Sequence, residues 1–249
     1  MNTTTVFRGP TIRAAEVERA LPGITVRGPA GLGDVLRAVQ DGAERLAIID
    51  GHFDHRQPVW HKEILWALSR GVTVYGAASM GALRAADLSD FGMLGVGRIY
   101  ELFQAGWLER DDEVAVAHAS SDEDYRPLSE ALVNMRFTFR AAMAAGVVDS
   151  AAAHRCTEIA ASIFYAQRSL QAVLALASKE PSLRAAAHAM RGWLEEDPAR
   201  KLDQKRSDAR QLLDVLREAP APRREPTFQF VTTQPWNEFM RHHARPSSR

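Results

Sequence analysis

The chain has 249 residues, 46% of them apolar and 25% charged, with 31 basic residues against 31 acidic ones. That balance excludes an intrinsically disordered chain, and a net charge of zero leaves no global field to draw the protein onto nucleic acid or a membrane surface. The single cysteine, Cys156, excludes an intramolecular disulfide and a cysteine-rich zinc site.

Strand-like and helical patterns alternate from the start. Thr4, Val6 and Phe7 form a short strand running into Gly9-Pro10, and residues 13–21 form a helix stopped by Pro22-Gly23. Ile24-Thr25-Val26 is the second strand, closed by Gly28-Pro29, and residues 33–41 are a helix with Val35, Leu36 and Val39 on one face. The apolar run 46–49 ends at Asp50-Gly51; residues 60–69 are helical, with Gly71 as C-cap. Residues 72–75 make a fourth strand, 79–88 the next helix, and Val114-Ala115-Val116 a fifth strand. Strands without polar alternation are buried on both faces, which means a parallel sheet. The β-α alternation makes it an α/β fold with a doubly wound, Rossmann-like sheet.

After about Ser121 the pattern turns all-helical: 128–144, 150–177, 183–195 and 204–217, with breaks at Gly146, Pro181 and Pro198. Strand character returns only at 227–231. Residues 219–226, rich in Pro and Arg, read as a linker, and 241–249 as a fraying tail. The expected organisation is an α/β core over 1–120, a helical domain or lid over 121–218, and a linker with tail over 219–249. Residues 1–10 have neither the apolar run nor the basic leader of a signal peptide. No apolar stretch approaches the roughly 20 residues of a membrane helix, so the expected location is cytoplasmic.

In such sheets ligands lie beyond the carboxyl ends of the strands. Here those ends are Gly9-Pro10, Gly28-Pro29, Asp50-Gly51-His52 and residues 76–79. The densest signal is Gly76-Ala77-Ala78-Ser79-Met80-Gly81-Ala82-Leu83-Arg84, a strand end, a turn of small residues and a helix start. Ala77 to Gly81 is one substitution from the G-x-S-x-G nucleophile elbow. Backbone N–H groups at a helix start lack intrahelical partners and sit at the positive end of the dipole, so an anion or oxyanion is at home there. Two readings of Ser79 stand side by side: nucleophile, or N-cap of the helix. No acid–histidine pair announces itself as the rest of a triad.

A second cluster runs from Asp50-Gly51-His52-Phe53-Asp54-His55 to Trp60-His61-Lys62-Glu63. Asp50 closes a buried strand, and His61, Lys62 and Glu63 fall in the first helical turn, able to point at the same crevice. A first-turn lysine opposes the helix dipole, which points Lys62 toward an anionic ligand or Asp50. His52, Asp54, His55 and His61 match no zinc spacing, so no metal and no cofactor is expected. Gly95-Val96-Gly97 lacks the third glycine and the preceding strand of a dinucleotide fingerprint. It reads as a loop over the Ser79 turn.

Gly9-Pro10, Asp50-Gly51, Val59-Trp60-His61-Lys62-Glu63-Ile64-Leu65, the GAASMGALR stretch 76–84, Gly92-Met93-x-Gly-Val-Gly97 and Asp111-Asp112-Glu113-Val114-Ala115-Val116-x-His118, taken in that order, resemble the TfuA-like family. The likeness continues more thinly through Lys205-Arg206-x-Asp208-Ala209-x-x-Leu212-Leu213. It implies a partner of YcaO enzymes in backbone thioamidation of ribosomally made peptides. The implied task is sulfur supply, releasing sulfide from a thiocarboxylated ubiquitin-like carrier by hydrolysis, or docking that carrier on YcaO without chemistry. A precursor peptide is a third partner such a system offers. On this expectation Ser79, Lys62 and His61 carry the chemistry, and Asp50, Gly51, Gly76, Ala78, Met80, Gly81 and Arg84 form the anion site.

Overall fold

The structure, a computed structural model, describes residues 3–53, 56–218 and 225–243. Asp54 and His55, and most of the expected linker and tail, lie outside the described residues. The chain divides into two compact units: Met1–Glu109 with Arg206–Arg249, and Arg110–Lys205. The divisions between these units fall at 109/110 and 205/206.

The first unit holds a five-stranded, all-parallel sheet: β1 (Thr4–Phe7), β2 (Thr25–Arg27), β3 (Arg45–Ile48), β4 (Thr73–Ala77) and β5 (Leu94–Val96), in the order β2-β1-β3-β4-β5. The order reverses between β1 and β3, so Gly9 and Asp50 flank the switch point at the carboxyl edge, where open α/β sheets bind ligands. The helices are α1 (Ala14–Ala20), α2 (Asp34–Gln40), α3 (His61–Ser69), α4 (Met80–Leu88) and α5 (Arg98–Gln104). They are followed much later in the chain by α10 (Gln204–Glu218) and α11 (Gln234–His243).

Alternate strand residues serve the two faces. Val6, Ala47, Ile49, Tyr75 and Ala77 pack with Val17 and Leu21 of the α1 segment and with Ala209, Leu212, Leu213 and Leu216 of α10. The last expected helix is thus a layer of the sheet. Right-handed crossovers place α2, α3 and α4 on the opposite face.

Two strand expectations change. The fifth strand is Leu94–Val96, paired with β4 from Tyr75 to Ala77, and not Val114-Ala115-Val116. Gly95 is needed in that strand because a Cβ there would lie 2.1 Å from the Tyr100 ring. Val114 and Ala115 are buried, but they follow a 3-10 turn in the other unit. Residues 227–231 add no strand to the sheet.

The second unit is helical: α6 (Leu132–Ala144), α7 (Ser150–Ser162), α8 (Leu170–Ala177) and α9 (Arg184–Glu196). Its core joins Leu132, Met135 and Phe139 to Cys156 and Ile159, Val173 and Leu174, and Met190. The single helix expected over 150–177 breaks at Ser162 because Arg168 turns inward. Arg168 is fully buried; it donates to the carbonyls of Ala160, Ile163 and Asp112 and to the Asp112 carboxylate at 2.7 Å. No helix among the described residues is long and apolar enough to cross a membrane.

Candidate functional site: the turn from β4 into α4

The Ala77-Ala78-Ser79 turn is tighter than an ordinary strand-to-helix connection. The Ser79 N–H donates to the Ala77 carbonyl at 2.7 Å, closing three residues, and Ala78 at its centre has φ +66°. A left-handed φ on a residue with a Cβ is sparsely populated, and such strain gathers at functional sites. Only two other non-glycine residues, Asp124 and Tyr125, have positive φ among those described.

The glycines explain how this turn is clamped. A Cβ on Gly76 would sit 2.0 Å from the Gly81 carbonyl oxygen, and one on Gly81 would sit 1.7 Å from the Ile48 oxygen. The start of α4 therefore lies directly on the backbone of β3 and β4, and the Gly81 N–H reaches the Ile49 carbonyl at 3.3 Å. Met80 packs over Gly51, where a Cβ would lie 2.7 Å from the Met80 Cγ. Gly51, Gly76, Ala78, Ser79, Met80 and Gly81 are thus brought together.

Asp50 stands beside them but faces the other way. Its Oδ2 accepts from the N–H groups of Gly9 (2.8 Å) and Thr11 (3.2 Å), and its Oδ1 from the Thr11 hydroxyl (2.6 Å). With 1% exposure it is a fastener for the loop after β1, its oxygens engaged within the fold.

Three expected participants lie elsewhere. His61 Nε2 is 2.8 Å from Asp87 Oδ2, forming an acid–histidine pair that sequence spacing did not reveal. Asp87 stands eight residues beyond Ser79 along α4, about 12 Å of helix, so His61 is not the base of Ser79. Arg84 is buried, its Nε donating to the Val59 carbonyl at 3.2 Å and its Nη1 lying 3.4 Å from Asp87. Lys62 donates from Nζ to the Val231 carbonyl at 2.6 Å and sits 4.6 Å from the centre of the Phe230 ring. Its ammonium turns to the C-terminal segment and not to Asp50.

Ser79 itself fits neither simple role. In an elbow the nucleophile occupies the strained tip; here the tip is Ala78, and Ser79 follows it, 2% exposed, with φ −124° and ψ −126°. As the N-cap residue of α4 it makes no side-chain cap bond.

The model of the TfuA-like protein family matches residues 50–169. This stretch belongs to the TfuA-like family. No curated protein matches the chain. The match opens at Asp50 and takes in α3, the Ala78 turn and α4. TfuA-like proteins are associated with YcaO-dependent thioamide systems.

The TfuA-like segment also contains Glu63, a first-turn residue expected to point at the crevice, which the structure gives a capping role instead. Glu63, fully buried on α3, accepts from the N–H groups of Gly33 (2.8 Å), Leu36 (3.2 Å) and Trp60 (3.4 Å). One carboxylate thereby holds the starts of both α2 and α3. Burial pushes its pKa up to about 7, against the pull of those three donors. Outside the matched span Asp208 does the same for α5, accepting the Ile99 N–H at 2.7 Å. Gly97, with φ +95°, admits the Asp208 carboxylate where a Cβ would lie 2.4 Å from its Cγ. The Gly-Val-Gly motif therefore serves a cap and a strand. Cys156, the one thiol, is buried in the helical unit, and burial raises it to about 11.

Proposed function

We propose that the chain supplies sulfur to a YcaO partner in peptide backbone thioamidation. In this reading the turn at Ala77-Ala78-Ser79 receives the C-terminal thiocarboxylate of a ubiquitin-like carrier protein and sulfide is released from it by hydrolysis. The observation that carries the reading is the strained Ala78 turn, held at the carboxyl edge of the sheet by the Gly76–Gly81 contact inside the TfuA-like segment.

The chemistry follows from the residues present. A thiocarboxylate is a poor electrophile because its charge is delocalised, so hydrogen-bond donors matter more than a strong base. With His61 committed to Asp87, Ser79 acts as donor to the thiocarboxyl oxygen and water is the nucleophile. Water adds to the carbon, the C–S bond breaks, sulfur leaves as hydrosulfide, and the carrier regains its carboxylate with one proton released. The buried thiol of Cys156 argues against a persulfide relay on this chain.

One observation favours a second reading. Ser79 is 2% exposed, which suits a docking adaptor that presents the carrier to YcaO without reacting. Titrating the chain with thiocarboxylated and carboxylated carrier, and following sulfide in the same samples, separates the two. Selective binding with release supports hydrolysis; selective binding without release supports the adaptor. Equal affinity for both carriers refutes the sulfur-supply reading.

A further inference from the structure

The segment 225–243 lies outside the TfuA-like match and is seated on the outer side of α3. Its helical half, α11, buries Trp236 and Phe239 against Leu36, Trp60 and Trp66, with ring centroids 5.5–6.1 Å apart for Trp60–Trp236, Trp60–Phe239 and Trp66–Trp236. Its non-helical half, 225–233, is held differently. Phe228 meets Phe91 edge to face at 5.4 Å, Phe230 meets Trp236 at 5.2 Å, and the Val231 carbonyl takes the Lys62 ammonium. This half joins no strand of the sheet, and Val231 is 63% exposed. The firm anchor is the helix; the part over Lys62 rests on ring contacts and one side-chain hydrogen bond.

We propose that residues 225–233 are an autoinhibitory strap over the start of α3, hinged on α11, which engages the Lys62 amine and gives it up when the strap lifts. The thiocarboxylated carrier is the partner that gains by this, a point that rests on the functional reading above. The strap already occupies Lys62 with peptide, since the Val231 carbonyl oxygen sits on its ammonium. With its terminal thiocarboxylate at the Ala78 turn, a carrier that brings an acidic side chain to the start of α3 offers Lys62 a stronger acceptor than a neutral carbonyl. Lifting the strap leaves the aromatic seat of α11 in place, so the switch does not require the unit to unfold.

The test uses the full chain and Phe230→Ala, with Phe228→Ala as the second variant. Phe230 touches Lys62 and Trp236, and its loss removes contacts on the order of those that set a two- to tenfold change in a local equilibrium. Acylation of lysines, read by mass spectrometry, reports the strap directly, because Lys179 and Lys201 in the helical unit serve as internal references. The expected result is slow Lys62 acylation in the wild type and roughly two- to tenfold faster acylation in either variant, with an unchanged melting temperature. Thiocarboxylated carrier then binds the variants more tightly by a similar factor, since apparent affinity scales with the open fraction. Equal Lys62 acylation in wild type and both variants overturns the strap, whatever the carrier does. Faster acylation in the variants with no carrier binding by any of the three proteins keeps the strap and overturns the functional reading.

Discussion

Glu63→Gln removes the one ionisable group that ties α2 to α3, and its effect should depend on pH in a definite direction. In the folded chain burial raises the Glu63 carboxyl from 4.5 to about 7. A raised acid pKa means that the native state holds the proton more tightly than the unfolded chain does. The stabilisation is therefore complete below pH 4.5 and disappears as pH rises through about 7. At 1.36 kcal/mol per unit the span of some 2.5 units amounts to about 3 kcal/mol. For a chain of this size that is a melting-point difference of roughly 6–12 °C. Other groups titrate in the same interval. His243, lowered by burial and by Arg37, contributes in the opposite sense, its share present above the usual histidine range and fading as pH falls. The quantity to measure is therefore the difference in melting temperature between wild type and Glu63→Gln from pH 4.5 to 8.5. The glutamine variant stays neutral throughout, so the difference should favour wild type at acid pH and shrink or reverse above pH 7. A difference that is flat, or that grows with pH, would show that the three N–H donors win over burial and Glu63 is ionised throughout.

Two further outcomes follow from packing. Gly81→Ala places a methyl 1.7 Å from the Ile48 carbonyl oxygen, a backbone atom that cannot rotate away; thermal denaturation should show a loss of about 3 kcal/mol or more, whereas a loss below 1 kcal/mol would mean α4 is not clamped to the sheet. Cys156, fully buried and raised to about 11, should react with iodoacetamide at pH 8 at least about 100-fold more slowly than the unfolded chain; comparable rates would reopen a thiol relay.

The parallel sheet was legible because Leu46 to Ile49 is a continuous apolar run and Val72 to Tyr75 is a β-prone run broken only by Thr73, with aspartate or glycine at their ends. Local pattern failed where apolarity had another cause. Val114 is buried without joining the sheet, while β5 hides behind glycines that Tyr100 and Asp208 require. At the site, the small residues of 76–81 announced close backbone approach, and the structure supplies its partner, the Ile48 carbonyl. The roles of Lys62, His61 and Glu63 were not legible, because each depends on a residue distant in the chain: Val231, Asp87 and Gly33. The one-residue shift that puts Ala78, not Ser79, at the strained tip is a backbone property that the motif alone does not encode.

The central claim is tested most directly by sulfide release from a thiocarboxylated carrier under single-turnover conditions, comparing wild type with Ser79→Ala at matched melting temperature. Loss of one donor to a developing oxyanion costs on the order of 10²–10³ in rate. The account predicts release by wild type above the spontaneous rate and a fall of about that size in the variant, with carrier binding retained. Wild-type turnover in Ser79→Ala would contradict it.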